Sequence, residues 1–276
     1  MSSSARSRLT RVYYRAKPLL PKGVRRSLRG WHARRIQRAS AEYWPINEAA
    51  GRTPKDWPGW PEGKQFAFVL THDVESQAGL ERVRPLAELE MELGFRSSFN
   101  FVPEGDYEVP DELLAWLREN GFEVGVHDLH HDGHLFDSRE GFRKKAAQIN
   151  HYLKAWNADG FRAGFMMRNL AWFHDLNVSY DCSTFDVDPF EPQPDGVSTI
   201  FPFWVSKPGS EGGYLEMPYT LPQPSTLIVH LKDESVGNWV EKMRWLRAHG
   251  GMALVNVHPD YIDFEEGDAV PGFYPV

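Results

Sequence analysis

The chain has 276 residues, 41% hydrophobic and 13% aromatic, which suffices for one large α/β domain with a sizeable core. Its single cysteine, Cys182, excludes an internal disulfide framework and a thiolate zinc cluster, so any metal must be held by imidazole and carboxylate. The net charge of −7 hides an asymmetry: residues 1–40 carry twelve Lys or Arg and no Asp or Glu, whereas the remainder holds 19 basic against 38 acidic residues.

The basic arm comes first. Val24, Leu28 and Trp31 fall at helical spacing among its arginines, which suits an interfacial helix on an anionic membrane surface. Docking of the arm on the acidic body is an equal alternative. No nucleic-acid motif accompanies the charge, so no nucleic-acid partner is expected. No 18-residue apolar run marks a transmembrane helix, and no apolar stretch before a small-residue cleavage site marks a secretory signal. The expected location is cytoplasmic, with peripheral attachment to the inner membrane face as an option. A connector follows at residues 52–65, "RTPKDWPGWPEGKQ", whose three prolines mark a boundary. Residues 1–64 are therefore read as arm and connector, and 65–276 as the catalytic domain.

From Gln65 onward strands and helices alternate. Strands are expected at Phe66–Val74, Phe95–Val102, Phe122–His127, Phe161–Phe165, Val178–Ser183, Tyr214–Met217 and Met252–His258. Helices are expected at Leu80–Leu93, Pro110–Asn120, Glu140–Trp156 and Val236–His249, with Pro110 at a start and Gly94 and Gly121 after ends. Strand–helix repetition implies a parallel sheet, and seven strands suggest an incomplete barrel. The proline-rich segment from Asp186 to Lys207 is long enough to be a functional loop over one face.

In such a sheet ligands bind at the carboxyl ends of strands, and the polar residues sit there. The first strand ends in Thr71-His72-Asp73-Val74-Glu75, whose two carboxylates point the same way on an extended strand. Two carboxylates on one side repel unless a cation lies between them or one is protonated. The third strand ends at His127, and His131 lies four residues on, so one helical turn would put both rings on one face. Two His and a carboxylate give a three-ligand site with an open position, the layout of a catalytic metal. His130 and His134 are assigned to the surrounding loop. Arg162, in an apolar strand, needs a carboxylate partner, for which Asp73 is the candidate. The last strand ends in His258. Trp172, Phe173 and His174 read as packing residues.

With an acid pair, a His pair, an Arg and a late His in that order, the chain resembles the polysaccharide deacetylases, the NodB-like carbohydrate esterases of family 4, from about Phe66 to Asp260. The resemblance implies a distorted seven-stranded (β/α) barrel with the basic arm as an N-terminal extension. It implies Asp73 as general base, Glu75, His127 and His131 as ligands of a divalent metal, zinc by expectation, Arg162 orienting the base, and His258 donating a proton to the leaving nitrogen. Val74 stands where the family's usual second Asp lies, so Asp73 as ligand with Glu75 as base stays open. The His-x-x-x-His stretch lacks the family's Ser or Thr and Pro, and Arg162-Ala163 keeps only the Arg. Asp181 or Asp186 in "YDCSTFDVD" is expected near substrate, and Trp204 of "FPFW" and Tyr219 are further groove candidates. The implied reaction removes an N-acetyl group from an intracellular or membrane-associated saccharide. The alternatives are hydrolysis of a small cyclic amide or ureide and a non-catalytic glycan-binding barrel.

Overall fold

The structure, a computed structural model, describes residues 22–233, 235–263 and 272–273. Residues 1–21 of the basic arm lie outside the described residues. The main sheet has eight strands: β1 (Ala67–Val74), β2 (Ser98–Phe101), β3 (Glu123–His127), β4 (Gly160–Arg162), β5 (Tyr180–Asp181), β6 (Phe203–Ser206), β7 (Gly213–Glu216) and β8 (Met252–Val257). Their spatial order is β6-β7-β5-β4-β3-β2-β1-β8. Every pairing is parallel except β6 with β7. The sheet curls into a half-barrel with β6 and β8 at its two ends, the architecture expected of the NodB type. All seven expected strands form. The eighth, β6, lies in the segment read only as a loop; it is an antiparallel edge strand with alternating half-buried and exposed residues.

Five α-helices are described: α1 (Lys22–Ala39), α2 (Gln77–Glu92), α3 (Asp111–Glu119), α4 (Arg139–Ala155) and α5 (Gly237–His249). Ser76 and Ser138 cap α2 and α4 by accepting from Gly79 N and Gly141 N, and Gly250 closes α5 in the left-handed conformation. Their apolar faces cover the outer side of the sheet. Val83, Leu86, Leu114, Leu117, Phe142 and Ile149 pack there with Val74, Phe99 and Phe101. Period-two alternation sends His72 and Val74 of β1 to this layer, where His72 Nε2 meets Glu90 of α2 at 2.6 Å. It sends Thr71 and Asp73 to the interior.

Register then assembles a polar interior row. Asp73 lies opposite Asn100, Asn100 opposite Gly125, Thr71 opposite Asn256, and His127 opposite Arg162. Gly125 is required because a Cβ there would overlap the Asn100 amide.

The connector packs on the body. Trp60 Nε1 donates to Gly250 O at 2.8 Å, and Trp57 meets Phe201 with ring centroids 5.1 Å apart. Helix α1 forms over the arginine-rich segment. Its Ala33 is buried beside Leu227 and Leu231 of a π-helix, Ser225–Leu231, while Trp31, Arg34 and Arg35 are exposed. The arm's described end is thus docked on the body. Phe173 is fully buried, matching its packing role.

Lys242 of α5 is buried against Asp186, with Nζ 2.8 Å from Oδ2. Deleting one member of a buried pair strands the other charge, typically at about 3–5 kcal/mol, whereas replacing both by apolar groups is often neutral. Lys242→Met should therefore lower the urea-unfolding free energy by about 3 kcal/mol, and the double variant Lys242→Met/Asp186→Leu should recover most of that loss.

Candidate metal centre

The carboxyl ends of β1, β3 and β8 converge on one cavity of ≈330 Å³, whose lining includes Asp73, Glu75, His127, His131 and His258. Glu75 follows β1 by one residue. Its Oε1 lies 3.0 Å from His131 Nε2, 3.6 Å from His127 Nε2 and 3.4 Å from His258 Nε2. The ligand atoms of Glu75, His127 and His131 all fall within 4.8 Å of one another. Asp73 is not in that group, which places Glu75 rather than Asp73 beside the two imidazoles.

The two histidines reach the site differently from the expected helical turn. After His127 the chain enters a loop in which Asp128 and His131 have φ of 57° and 51°, so no helix joins them. Asp128 holds the loop by accepting from Leu129 N at 2.7 Å and Gly164 N at 3.1 Å. The His131 ring stacks on Phe165, centroids 4.5 Å apart. His130 and His134 point elsewhere, to Glu104 and Asp137, as the loop assignment anticipated.

His127 Nδ1 lies 3.1 Å from the Arg162 carbonyl. A carbonyl only accepts, so Nδ1 carries hydrogen and donates, leaving Nε2 to face the cavity. The Nε2 atoms of both His127 and His131 are buried and make no hydrogen bond. Two orphaned imidazole nitrogens converging on a carboxylate oxygen are costly without a ligand and fit a divalent cation of the borderline kind.

Asp73 is buried and fully engaged. Asn100 Nδ2 donates to Oδ1 at 3.0 Å, Asn256 Nδ2 to Oδ2 at 2.7 Å, and Arg162 Nη1 to both at 3.2 and 3.4 Å. Burial alone would raise its proton affinity, but the Arg162 guanidinium, with the cavity histidines, holds it far below the usual carboxylate range. Arg162 is fully buried, and its Nε donates to Cys182 O. Burial likewise opposes charge on His258, yet Glu75 and Asp73 raise its pKa above the ordinary imidazole value.

None of the four groove candidates lines the cavity. Asp181 is buried behind it, accepting from Ser183 N and Oγ and lying in register with Glu216. Asp186 is spent on Lys242. Trp204 stands exposed on β6, the sheet's far edge. Tyr219 is buried one layer back, with its hydroxyl on Asp188 and Glu191. The cavity wall opposite the metal centre is built instead from Phe190 and Glu191 of the proline-rich loop, Gln223, and Ser225 and Thr226 of the π-helix. The loop was legible as a functional segment. The individual residues were not, because no periodicity marks them.

No family model matches the sequence, and no curated protein is similar to it. Solved structures do match. A Mycobacterium smegmatis protein assigned to the polysaccharide deacetylases superposes with a TM-score of 0.56 at 16% identity, covering 75% of this chain and 82% of that one. PuuE allantoinase superposes with a TM-score of 0.55 at 12% identity, covering 79% and 85%. At these identities the likeness establishes the fold, a NodB-type (β/α) barrel, which is the one the strand-end motifs imply.

Several buried groups here hold protons more tightly folded than unfolded. Burial pushes Asp181 and Asp186 up to about 6, and burial with the Asp188 charge pushes Glu191 up to about 8. His127, despite burial, is raised to about 9 by Asp73 and Glu75. A raised folded pKa contributes stability that is present at low pH and lost as pH rises through that value. For metal-free protein the midpoint of thermal unfolding should therefore fall from pH 5.5 to pH 8.5, as read by calorimetry. A rise over that interval would contradict the assigned proton positions.

Proposed function

We propose that the chain is a metal-dependent hydrolase that removes an N-acetyl group from an amino sugar. The observation that carries this reading is the pair of buried, unpartnered Nε2 atoms of His127 and His131 facing Glu75, beside an Asp73 held by Arg162. Glu75, His127 and His131 would hold the cation, zinc being the natural occupant of an imidazole–carboxylate set. When bound, such a cation supplies Lewis-acid polarisation of the acetamide carbonyl.

The chain's own groups do the rest. Asp73, kept ionised by Arg162, accepts a proton from water as the water oxygen bonds to the carbonyl carbon. Asn100, Asn256 and Arg162 fix the carboxylate, so no reorganisation is needed at that moment. The carbon–nitrogen bond then breaks. His258 gives its proton to the departing nitrogen, because an amine leaves poorly as an anion. The products are acetate and a free amine.

A second reading, hydrolysis of a small cyclic amide or ureide, is favoured by two observations. The cavity volume of ≈330 Å³ is at the lower end for small-molecule sites, and the fold superposes on PuuE allantoinase. For the saccharide reading, the substrate would be an intracellular or membrane-associated glycan or precursor. The support is the charge of residues 1–40 and the exposed Trp31, Arg34 and Arg35 on α1. None of the described helices is long and apolar enough to cross a membrane. Sedimentation with anionic vesicles should pull down the full chain and leave it in solution at high salt, and a salt-independent result would remove the lipid-surface role.

Metal analysis paired with acetate release from N-acetylated sugars tests the main reading. His131→Ala should lose the metal. Asp73→Asn should retain it and lose acetate release by about 10²-fold or more. The opposite pattern would exchange the roles of Asp73 and Glu75. Bound metal with ring opening of a cyclic ureide and no acetate from any sugar would select the second reading.

A further inference from the structure

Glu75 stands one residue past the end of β1, and among the described residues it has no ladder partner. Pairing of β1 runs to Val74 opposite Phe101 on the β2 side and to His72 opposite Val257 on the β8 side. The Glu75 side chain nevertheless brings one oxygen within 3.6 Å of three imidazole nitrogens. The peptide that carries it, Val74–Glu75, is held from both sides by groups the hydrolytic step does not use. Its N–H donates to Asp260 Oδ2 at 3.1 Å. Its carbonyl, Val74 O, accepts from the Tyr107 hydroxyl, which in turn accepts from Val102 N at 2.9 Å. The hydroxyl thus sits between β1 and β2 just past their last paired residues.

We propose that Asp260 and Tyr107 are positioning residues for the metal centre: they clamp the Val74–Glu75 peptide at its N–H and its C=O, and so fix the direction from which Glu75 reaches the cation. This rests on the metal centre read above and adds the residues that set its carboxylate ligand.

Three observations carry it. The first is the clamp itself. A peptide is planar, so one bonded at both its N–H and its C=O cannot swivel without breaking one of those bonds. The second is that Asp260 is held in turn. Ser76 Oγ donates to its Oδ1, and Arg82 Nη1 donates to its carbonyl at 3.4 Å. The same Ser76 Oγ accepts from Gly79 N at 3.3 Å, so one hydroxyl both caps α2 and seats the carboxylate. Gly79 leaves the room, since a Cβ there would overlap the Asp260 carboxylate. The third is connectivity. Asp260 lies in the short helical turn Pro259–Tyr261 that follows His258, closed by Tyr261 N donating to His258 O at 3.1 Å. One carboxylate thereby ties the strand end bearing Glu75 to the strand end bearing His258.

A role in capping and packing alone predicts lost stability with zinc affinity unchanged. Positioning predicts lost affinity, because groups that orient a metal ligand are typically worth about 10–100-fold in metal binding. Competition titration of zinc against a chromophoric chelator separates the two. It uses the full metal-free chain, with the thermal midpoint of each apo protein measured alongside. Asp260→Ala and Tyr107→Phe should each weaken zinc by about tenfold or more. Asp260→Asn should stay within about threefold of wild type, because its amide oxygen still accepts from Glu75 N and its NH2 donates to Ser76 Oγ. Gly79→Ala removes no polar group and favours the helix, yet its methyl displaces the Asp260 carboxylate. It should lose affinity as Asp260→Ala does, and it keeps the test open should Asp260→Ala not fold. Wild-type zinc affinity in Asp260→Ala, Gly79→Ala or Tyr107→Phe, whatever the thermal midpoint, would overturn the clamp and leave the metal-dependent reading intact. So would a loss in Asp260→Asn as large as in Asp260→Ala. A wild-type chain that takes up no zinc would sink both. Zinc affinity that depends on the clamp, with no acetate released from any N-acetylated sugar, would sink the deacetylase and leave the clamp standing.

Discussion

A guanidinium with no solvent exposure must find its counter-charge within the protein, and the position of Arg162 organises the whole cavity around that need. Its side chain holds Asp73, Thr71 Oγ1 and Cys182 O. Its backbone carbonyl accepts from His127 Nδ1 and from Asp128 N. One residue thus fixes the Asp73 carboxylate on one side and the tautomer of a cavity-facing imidazole on the other. Strand register makes this possible. β4 stops at Arg162 directly opposite His127 on β3, while β1 brings Asp73 across the barrel interior. Without the ion pair, burial would push Asp73 towards its neutral form, and a protonated acid in that place accepts nothing.

The imidazoles show how a spacing can be right while the geometry assigned to it is wrong. A separation of four residues puts two rings on one face of a helix, and the segment from His127 to His131 is not helical. Left-handed residues at Asp128 and His131 turn the chain instead, and Asp128 supplies the acceptors that stabilise the turn. Non-glycine residues in that region cost free energy and persist where their surroundings over-determine them. Gly164 leaves the space the turn needs, since a Cβ there would overlap Asp128 and His131. The reward is that both Nε2 atoms face Glu75 from a short loop.

What could be read from the sequence follows the same division. The seven parallel strands, four of the helices and the strand-end residues Asp73, Glu75, His127, Arg162 and His258 carry local signals: apolar runs, a proline start, glycine stops, and polar residues at run ends. The partner of Arg162 was legible because an unpaired buried charge is forbidden. Asn100 and Asn256, which hold Asp73, sit inside apolar strands, and only their register gives them meaning. The π-helix is hidden because its seven residues, Ser225–Leu231, are too few for a helical period to show. Trp204 looked like a sugar platform by residue type, but an edge strand carries it away from the cavity. Glu191 offered no signal, because its place in the cavity wall is fixed by Tyr219 and Gln223, which are distant in the chain.

The interior carboxyls explain why the cavity has a polarity. Asp181 and Glu216 lie side by side in register, both fully buried; burial pushes Asp181 up to about 6 against a hydrogen bond with Glu216, and burial with the Asp181 charge pushes Glu216 up. Burial pushes Asp188 up to about 6 and, with the Asp188 charge, Glu191 up to about 8, while Lys242 Nζ lies 2.8 Å from Asp186 Oδ2. Among the described interior carboxyls, Asp73 is driven the other way by Arg162 and the cavity histidines, and Glu75 by His127, His131 and His258, which outweigh burial. The two lowered carboxyls are the ones that His127 and His258 face. Neighbouring cationic groups, more than depth of burial, decide which interior carboxyls give up their protons.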